Sequence, residues 1–199
     1  MATTLNRVPV GVLLTAAFFA TNSIAGEREK VPTPLEIQFA GIEKIVVFPP
    51  VDARNGEKAN VKLENIQKQV LRILKKKNYA AEAAAFSGDA GDFVEDDLRE
   101  ARPEWVRRLG PAEARWIMVV CLDDVTSRMT FGSTGNAELS GYLYDKQDGK
   151  LVWQDKGIGQ AGQGGLAGMM LKGTMKGQAL NIATGNLMRS VPKRPKVKK

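Results

Sequence analysis

Alternating apolar and polar positions over Glu138–Gln154 predict a β-hairpin. The first arm, Leu139–Tyr144, presents its side chains to two faces in turn, and the second arm, Lys150–Trp153, is short and rich in β-branched and aromatic residues. The intervening Asp145–Gly149 predicts an outward-pointing turn that Gly149 closes with a positive φ. The hairpin therefore marks a sheet, and we expect Trp153 to pack beneath the C-terminal helix.

The remaining pattern predicts further strands and helices around this hairpin. Apolar runs at Lys44–Phe48 and Arg115–Leu122 predict buried strands, the second of them central, and Tyr79–Phe86 predicts a weaker strand. Met129–Asn136 is interpreted as a loop or bulge between strands of a three-stranded meander over residues 115–159. Three helices are predicted. The first follows an apolar stripe at three- and four-residue steps over 63–74, with Asn60 as N-cap, and the second is Pro103–Leu109. The third is Gln178–Ser190, whose expected core contacts are Leu180, Ile182, Leu187 and Met188.

The element order β-α-β-α-β-β-β-α predicts the α/β class. We expect a single sandwich, residues 44–190, in which one mixed sheet carries packed helices.

The two ends of the chain have a different composition. Met1–Ala25 has a cationic Arg7, the short apolar run Val8–Ala20 and small residues before Gly26, which predicts a signal peptide cleaved near Ala25 and a periplasmic protein. Residues 26–43 are interpreted as a linker that Pro32 and Pro34 keep extended. Residues 191–199 are interpreted as a basic, disordered tail.

Composition excludes several classes of chemistry. The 199-residue chain contains no histidine, which excludes Ser-His and Cys-His catalysis and the usual zinc sites. Its formal charge of +7 favours anionic partners, but the predicted secretion argues against nucleic acid. The single Cys121 lies in an apolar run and is expected to be a buried core residue. No cysteine lies near the cleavage position, so we expect no lipid anchor on this chain.

Candidate chemical groups are few. Three carboxylates could share one helical face, but acids are common at helix N-termini and we favour that interpretation; they are Asp92, Asp96 and Glu100. Asp123 and Asp124 are adjacent on a predicted strand and should point to opposite faces. The spacing of Gly168 and Gly173 resembles a P-loop but lacks its lysine. The sequence therefore predicts no catalytic, cofactor or metal site.

Two stretches are candidate contact surfaces, in addition to the exposed edge of the predicted meander. The glycine-rich segment 157–177 is open to three interpretations, a flexible loop entering a helix, a subunit interface, or a lipid contact, through its apolar residues Leu166, Met169, Met170 and Leu171. Gly164 with Gly168, and Gly173 with Gly177, have a spacing that permits close helix approach. The second stretch is the tail, whose cations either solubilise the chain end or bind an anionic surface; they are Lys193, Arg194, Lys196, Lys198 and Lys199.

Three segments carry a family resemblance. These are Ile45–Pro50, Trp116–Val120 and, above all, Tyr144–Trp153 with its sequence of strand, Asp, turn, Gly, strand and Trp. Together with the predicted signal peptide, they resemble a group of bacterial envelope proteins that share the fold of the TolB N-terminal domain and include LpoB-like, PelC-like and CsgG-like proteins. The resemblance implies adaptor, assembly or secretion roles and no catalytic residues. Most of that group is lipid-anchored, and this chain lacks the cysteine that would carry the lipid.

The sequence thus predicts a non-enzymatic periplasmic accessory or adaptor protein of the cell envelope. It would act by protein–protein contact, with an envelope partner or with further copies of itself, and would need no cofactor. One alternative is binding to anionic lipid or lipopolysaccharide through the basic tail. A second is a carboxylate-based metal-binding enzyme that uses Asp52, Glu57, Asp123 or Asp124.

Overall fold

A six-stranded mixed sheet organises the chain in the computed structural model, which describes residues 33–54, 61–84, 98, 100–165 and 172–195. The elements follow the order α1 (Pro34–Phe39), β1 (Lys44–Val47), β2 (Val51–Asp52), α2 (Leu63–Lys76), β3 (Ala80–Ala83), α3 (Pro103–Arg108), β4 (Trp116–Thr130), β5 (Gly132–Asp145), β6 (Lys150–Gly164) and α4 (Lys172–Leu187). The strand order is β3-β1-β4-β5-β6, and the short β2 pairs with β4. The predicted α/β sandwich is confirmed, with α1 and β2 as additional elements.

The sheet is parallel on one side and antiparallel on the other. β1 pairs in parallel with β3 and β4, whereas β4, β5 and β6 form the antiparallel meander. β4 lies in the middle of the strand order, as its apolar composition predicted. Cys121 on this strand is fully buried, which confirms its assignment to the core.

Two hydrophobic cores lie on the two faces of the sheet. The larger core joins Ile45, Val47 and Met118 to the apolar sides of α1, α2 and α4. The second core places Val46, Ile117 and other residues of the opposite face against α3 and Leu98. Successive residues of β1 and β4 therefore enter different cores, which is why these strands have nearly continuous apolar sequences.

Helix α2 follows its predicted apolar stripe. Ile66, Val70 and Leu74 are buried, and the chain leaves the helix through Asn78, which has a φ of 70°. Asparagine is one of the few residues that adopt this left-handed conformation readily, so Asn78 ends the helix. The N-cap position is occupied by Lys62, which makes no side-chain capping bond; the predicted cap Asn60 lies outside the described residues.

The prediction of an extended linker over 26–43 is wrong for its second half. Thr33 and Glu36 form a capping box, and Pro34 occupies the first turn of α1. Proline interrupts a helix interior, but it is well accommodated at this position because its missing N–H would have no helical partner there. Phe39 and Ile42 are then buried in the larger core, so the domain begins before residue 44.

The prediction of a disordered tail over 191–199 is wrong for its first part. Val191 is fully buried, and Tyr79 donates a hydrogen bond to the carbonyl of Pro192 at 3.0 Å. Asn78 donates to the carbonyl of Arg194 at 2.6 Å, and the guanidinium of Arg194 lies 2.6 Å from a carboxylate oxygen of Glu43. The residues that hold this segment, Asn78, Tyr79 and Glu43, are distant from it in sequence, so no local pattern in residues 191–199 predicts these contacts.

The meander strands extend further than the sequence predicted. Met129–Asn136 is not a loop, because β4 continues to Thr130 and β5 begins at Gly132. Residues 157–164 of the glycine-rich segment are also strand, in β6.

Close packing against α4 explains this part of the glycine pattern. A Cβ on Gly157 would lie 2.2 Å from the carbonyl oxygen of Ala183, and one on Gly159 would lie 2.0 Å from that of Ala179. The helix itself begins at Lys172, earlier than predicted, and Ile182 is 42% exposed rather than a core contact.

The hairpin that the sequence marked most clearly is present. Gly149 closes its turn with a φ of 67°, and Trp153 packs in the core beside Leu187 of α4 while donating a hydrogen bond to Ser190 Oγ at 3.1 Å. The turn is less outward than predicted, because Gly149 packs against Pro103 and Asp145 is buried.

An ion pair with Arg115 at 2.8 Å holds the Asp145 carboxylate. Burial acts to raise the pKa of Asp145, but the hydrogen bonds from Arg115 and from the backbone N–H groups of Asp148 and Gln147 outweigh it and hold the pKa below its ordinary value.

Candidate interaction surfaces

The outer parts of the three meander strands form an arm. We define the arm as residues 124–130 of β4, 132–138 of β5 and 158–164 of β6, which are paired in register. Helix α4 covers one face of it, where Gly135 lies so close to the helix that a Cβ would be 2.6 Å from the carbonyl oxygen of Met175. On the opposite face Thr126, Glu138 and Gln160 are exposed. The arm is thus a sheet with one packed and one exposed face.

A β-bulge marks the inner end of the arm. The register shifts between Leu122 and Asp124, and both Leu122 and Val125 belong to the helix-side core. The two residues between them, Asp123 and Asp124, therefore face the same side, opposite α4, and the prediction that they point to opposite faces is wrong. An inserted residue breaks the alternation of a strand, and Ser140 Oγ donates a hydrogen bond to Asp123 Oδ2 at 2.6 Å at this point.

The third candidate carboxylate is held by an arginine. Arg54 Nε and Nη2 donate to the two oxygens of Asp52 at 2.7 and 2.6 Å, and both side chains are largely buried. The hydrogen bond to Asp52 raises the pKa of Arg54, assisted by the charges of Asp52 and Asp124 and opposed by burial.

Hydrogen bonds from Arg54 and Ser140 hold the carboxylates of Asp52 and Asp123 within the fold. Glu57, the fourth candidate, lies outside the described residues, as do Asp92 and Asp96, and Glu100 is exposed. Among the described residues, no three metal-ligating side chains come close enough to hold an ion. The described candidates Asp52, Glu100, Asp123 and Asp124 therefore do not form a metal-binding group.

A cavity of about 420 Å³ lies at the other side of the sheet, beside β3. Its lining includes the apolar Val46 and Ala84 and the indole of Trp116. Its charged lining residues Lys44 and Glu82 form an ion pair at 2.8 Å with each other, and Arg115 stacks on Trp116 with 4.8 Å between guanidinium carbon and ring centroid. Lys44, Glu82 and Arg115 thus each have a partner, and Glu43, which also lines the cavity, pairs with Arg194.

The free edge of β6 is the longest unpaired strand edge in the described part of the chain. β6 spans 15 residues and is the last strand in the order, and no described strand pairs with its outer side. Side chains occupy two of its backbone groups, because Asp155 accepts from the N–H of Lys156 at 2.8 Å and Asn186 donates to the carbonyl of Ile158 at 2.8 Å. Beyond Ile158, Gly162 and Gly164 leave the edge flat and open.

Exposed apolar side chains are concentrated on the arm. Phe131, the single residue between β4 and β5, is 81% exposed, Met129 is 49% exposed and Ile158 is 55% exposed. Phe131 and Met129 were not among the predicted contact residues because 129–136 was interpreted as a loop or bulge between strands, and Ile158 was not among the apolar contact residues predicted in the glycine-rich segment. An aromatic residue placed directly before a glycine at a strand reversal is the signal that could have identified Phe131.

Most of the contact residues predicted from sequence lie outside the described part of the chain. Leu166, Met169, Met170 and Leu171 are outside the described residues, as are Lys196, Lys198 and Lys199. Lys193 is exposed, whereas Arg194 is partly buried in its ion pair with Glu43. A Cβ on Gly164 or Gly177 would meet no atom within 4 Å, so these members of the predicted small-residue pairs make no close helix contact in the described structure.

No helix in the described ranges combines the length and apolar character needed to cross a bilayer.

Comparisons with known proteins give structural likenesses without a family assignment. No protein-family model and no curated protein matches the chain. The PelC dodecamer from Paraburkholderia phytofirmans matches with a TM-score of 0.48 and 12% identity, over 77% of this chain and 90% of that one. Lipoprotein GNA1162 from Neisseria meningitidis matches at 0.39 and 15%, over 61% and 84%, and the LpoB C-terminal domain from Salmonella enterica at 0.32 and 11%, over 62% and 90%. PelC and LpoB are two of the proteins that the sequence resemblance named; the likeness to TolB and CsgG stays a prediction.

Proposed function

We propose that this protein is a non-enzymatic accessory protein of the bacterial cell envelope that acts in the periplasm by protein–protein contact. The observation that carries the proposal is the free edge of β6 on a three-stranded arm with one exposed face. A strand edge offers a row of backbone donors and acceptors that a strand of another chain can pair with. The partner is an envelope protein, a further copy of this chain, or both.

The outer part of this edge suits strand addition better than the inner part. The inner backbone groups at Lys156 and Ile158 already have side-chain partners, whereas Gly162 and Gly164 carry no side chain that would keep a second strand away. Ile158 stands at the junction of the two parts with its side chain exposed, and could be covered by a residue of an added strand. A segment of about five residues paired along Gln160–Gly164 would extend the sheet to a seventh strand.

A proline substitution at Gln160 tests this contact. Alternate residues of a strand direct their backbone groups to the same side, so Gln160 presents its N–H to the free edge as Lys156 does. Gln160→Pro removes this donor and blocks strand addition without removing a bond of the β5–β6 ladder, and Gln160→Ala is the matched control.

We expect the unmodified protein and the Ala variant to self-associate, as measured by light scattering, or to retain a specific envelope protein after crosslinking. The Pro variant should lose that contact while its circular dichroism spectrum stays unchanged. A strict monomer that retains no envelope protein, or a Pro variant that behaves like the Ala variant, would count against the proposal.

The proposed location has its own test. Fractionation of cells that express the full chain should place the protein in the periplasmic fraction, and mass spectrometry should find an N-terminus at or near Gly26. A protein found in the cytoplasm with an intact N-terminus would remove the periplasm from the proposal.

A further inference from the structure

We propose that the tip of the arm is a contact site for an anionic lipid surface, with Phe131 as its apolar anchor. This site is separate from the β6 edge and from the basic tail, so its failure would leave the proposed protein contact untouched. Three observations carry it: the fixed exposure of Phe131, the sign of the charge around it, and the small size of the apolar patch.

The reversal between β4 and β5 holds Phe131 outward. The strands pair up to Thr130 and Gly132, so Phe131 is the only residue between them. Gly132 has a φ of 143°, and a Cβ there would lie 2.6 Å from the carbonyl oxygen of Gln163, so the reversal needs a glycine at this position and lies directly against β6. The N–H of Gly165 also bonds the carbonyl of Phe131 at 3.3 Å. The ring is consequently 81% exposed, and Met129 beside it is 49% exposed.

The charge around the tip has one sign. Residues 126–137 contain one charged residue, Arg128, and residues 158–164, the part of β6 that pairs with β5 in the arm, contain none. Arg128 is exposed on the open face of the arm, and the backbone of Lys176 lies against Gly135 near the outer end of α4. The nearest acid along β5 is Glu138, about 20 Å from the tip at the rise of a β-strand. An anionic surface at the tip would therefore be attracted by Arg128 without repulsion from a carboxylate in the outer part of the arm.

The size of the patch favours lipid over protein. A stable protein interface buries roughly 800 Å² on each partner, with a packed core of many residues. Two apolar side chains at a turn are far too few for that, but they suffice for an interfacial anchor, because lipid headgroups need no shape complementarity and interfacial aromatic and cationic side chains together favour this location.

Vesicle sedimentation tests the assignment with the purified protein. The probes are vesicles of phosphatidylcholine alone and of phosphatidylcholine with phosphatidylglycerol at 7:3. We expect binding to the anionic vesicles only, weakened by added salt, and weakened at least about tenfold further by Phe131→Ser. The matched control is Ile37→Ser, which removes a comparably exposed apolar residue of α1, outside the arm, and should leave binding unchanged. A chain ending at Pro195 should also bind normally.

A fluorescence experiment keeps the proposal falsifiable if Phe131→Ser does not fold. Phe131→Trp places a reporter at the tip, and brominated lipid should quench it strongly in anionic vesicles, whereas the unsubstituted protein provides the background of its native tryptophans. Any of four results would overturn the assignment. They are no binding to anionic vesicles, equal loss from Phe131→Ser and Ile37→Ser, loss only on removing residues 196–199, or an unquenched Trp at 131 in bound protein. Loss of self-association rather than vesicle binding in Phe131→Ser would assign the tip to protein contact instead, and would also overturn it.

Discussion

Replacing Gly159 by alanine should destabilise the protein far more than a single methyl group suggests. The added Cβ would lie 2.0 Å from the carbonyl oxygen of Ala179 and 2.5 Å from the backbone nitrogen of Ala183. Both atoms belong to the backbone of α4, so no side-chain rotation can relieve the overlap. Ordinary contact distances for carbon are about 3.5 Å, so α4 must move away from β6 by roughly 1 to 1.5 Å.

The expected magnitude follows from what this displacement disturbs. Helix α4 places Met175, Ala179, Ala183 and Leu187 in the core, each almost completely buried. Overpacking a core with side-chain atoms typically destabilises by 1–3 kcal/mol, and a clash with rigid backbone belongs at the upper end, so we expect a loss of about 3 kcal/mol. Because domains of this size are stable by only about 5–15 kcal/mol, the loss should be large in any unfolding measurement.

The measurement is urea unfolding followed by circular dichroism, with Gly177→Ala as the matched control. Gly177 lies exposed on α4 with nothing within 4 Å of a Cβ, so alanine there should stabilise by about 0.5–1 kcal/mol through helix propensity. The two variants should thus shift the midpoint in opposite directions at a similar m-value. If the free energy of unfolding of Gly159→Ala lies within about 0.5 kcal/mol of that of the unsubstituted protein, then the packing of β6 on α4 does not require a glycine at this position.

Three further predictions concern other contacts. Thr33→Ala removes the capping box of α1 and should lower the free energy of unfolding by about 1 kcal/mol in the same urea assay, whereas an unchanged midpoint would contradict a role for the cap. Deleting residues 192–199 should destabilise by about 2 kcal/mol through lost hydrogen bonds, and deleting only 196–199 should have no effect; equal effects of the two deletions would contradict the docked tail. Because the pKa of Asp145 is lowered in the folded protein, its ion pair with Arg115 stabilises the fold above the ordinary carboxylate pKa near 4, and this contribution is lost as the pH falls through the lowered pKa. In acid titrations of unfolding, the stability of Asp145→Asn should therefore depend less on pH below about pH 4 than that of the unsubstituted protein. An identical pH dependence of the two proteins would contradict this assignment.

Local pattern was sufficient for the inner part of the sheet and insufficient for the arm. Strands with continuous or alternating apolar residues, such as Ile45–Phe48 and Leu139–Tyr144, can be predicted from sequence because burial alone determines their hydrophobic pattern. Residues 129–136 are rich in Gly, Ser, Thr and Asn, and residues 157–164 are rich in Gly and Gln. The intrinsic preference of both segments for a loop is overridden by their pairing with each other and by their packing on α4. A period-two spacing of small residues at Gly157, Gly159 and Ala161 is the signal that predicts such a strand, since a helix can approach only that face closely.

The candidate surfaces were hard to predict for a second physical reason. The bulge at Asp123 inserts one residue into β4, and a one-residue shift reverses which face every later side chain occupies. Without the bulge, Asp123 and Asp124 would lie on opposite faces and the open face of the arm would carry a different set of side chains. The docked part of the tail is similar, because Arg194 is held by Glu43 and Asn78, both far away in sequence.

The close contact between α4 and β6 also supports the arm and its candidate contact surfaces. Beyond the bulge the arm has no second layer on its exposed face within the described structure, and a three-stranded sheet of small polar residues has little stability of its own. Gly135, Gly157 and Gly159 let the α4 backbone lie directly on the strands, which fixes the arm to the domain from one side and leaves the other side and the β6 edge free. If this packing is loosened, the edge and the tip should lose their fixed geometry before the inner sheet unfolds. Gly159→Ala should therefore speed amide exchange in residues 126–137 more than in the inner strands, which separates the support of the arm from the stability of the domain core.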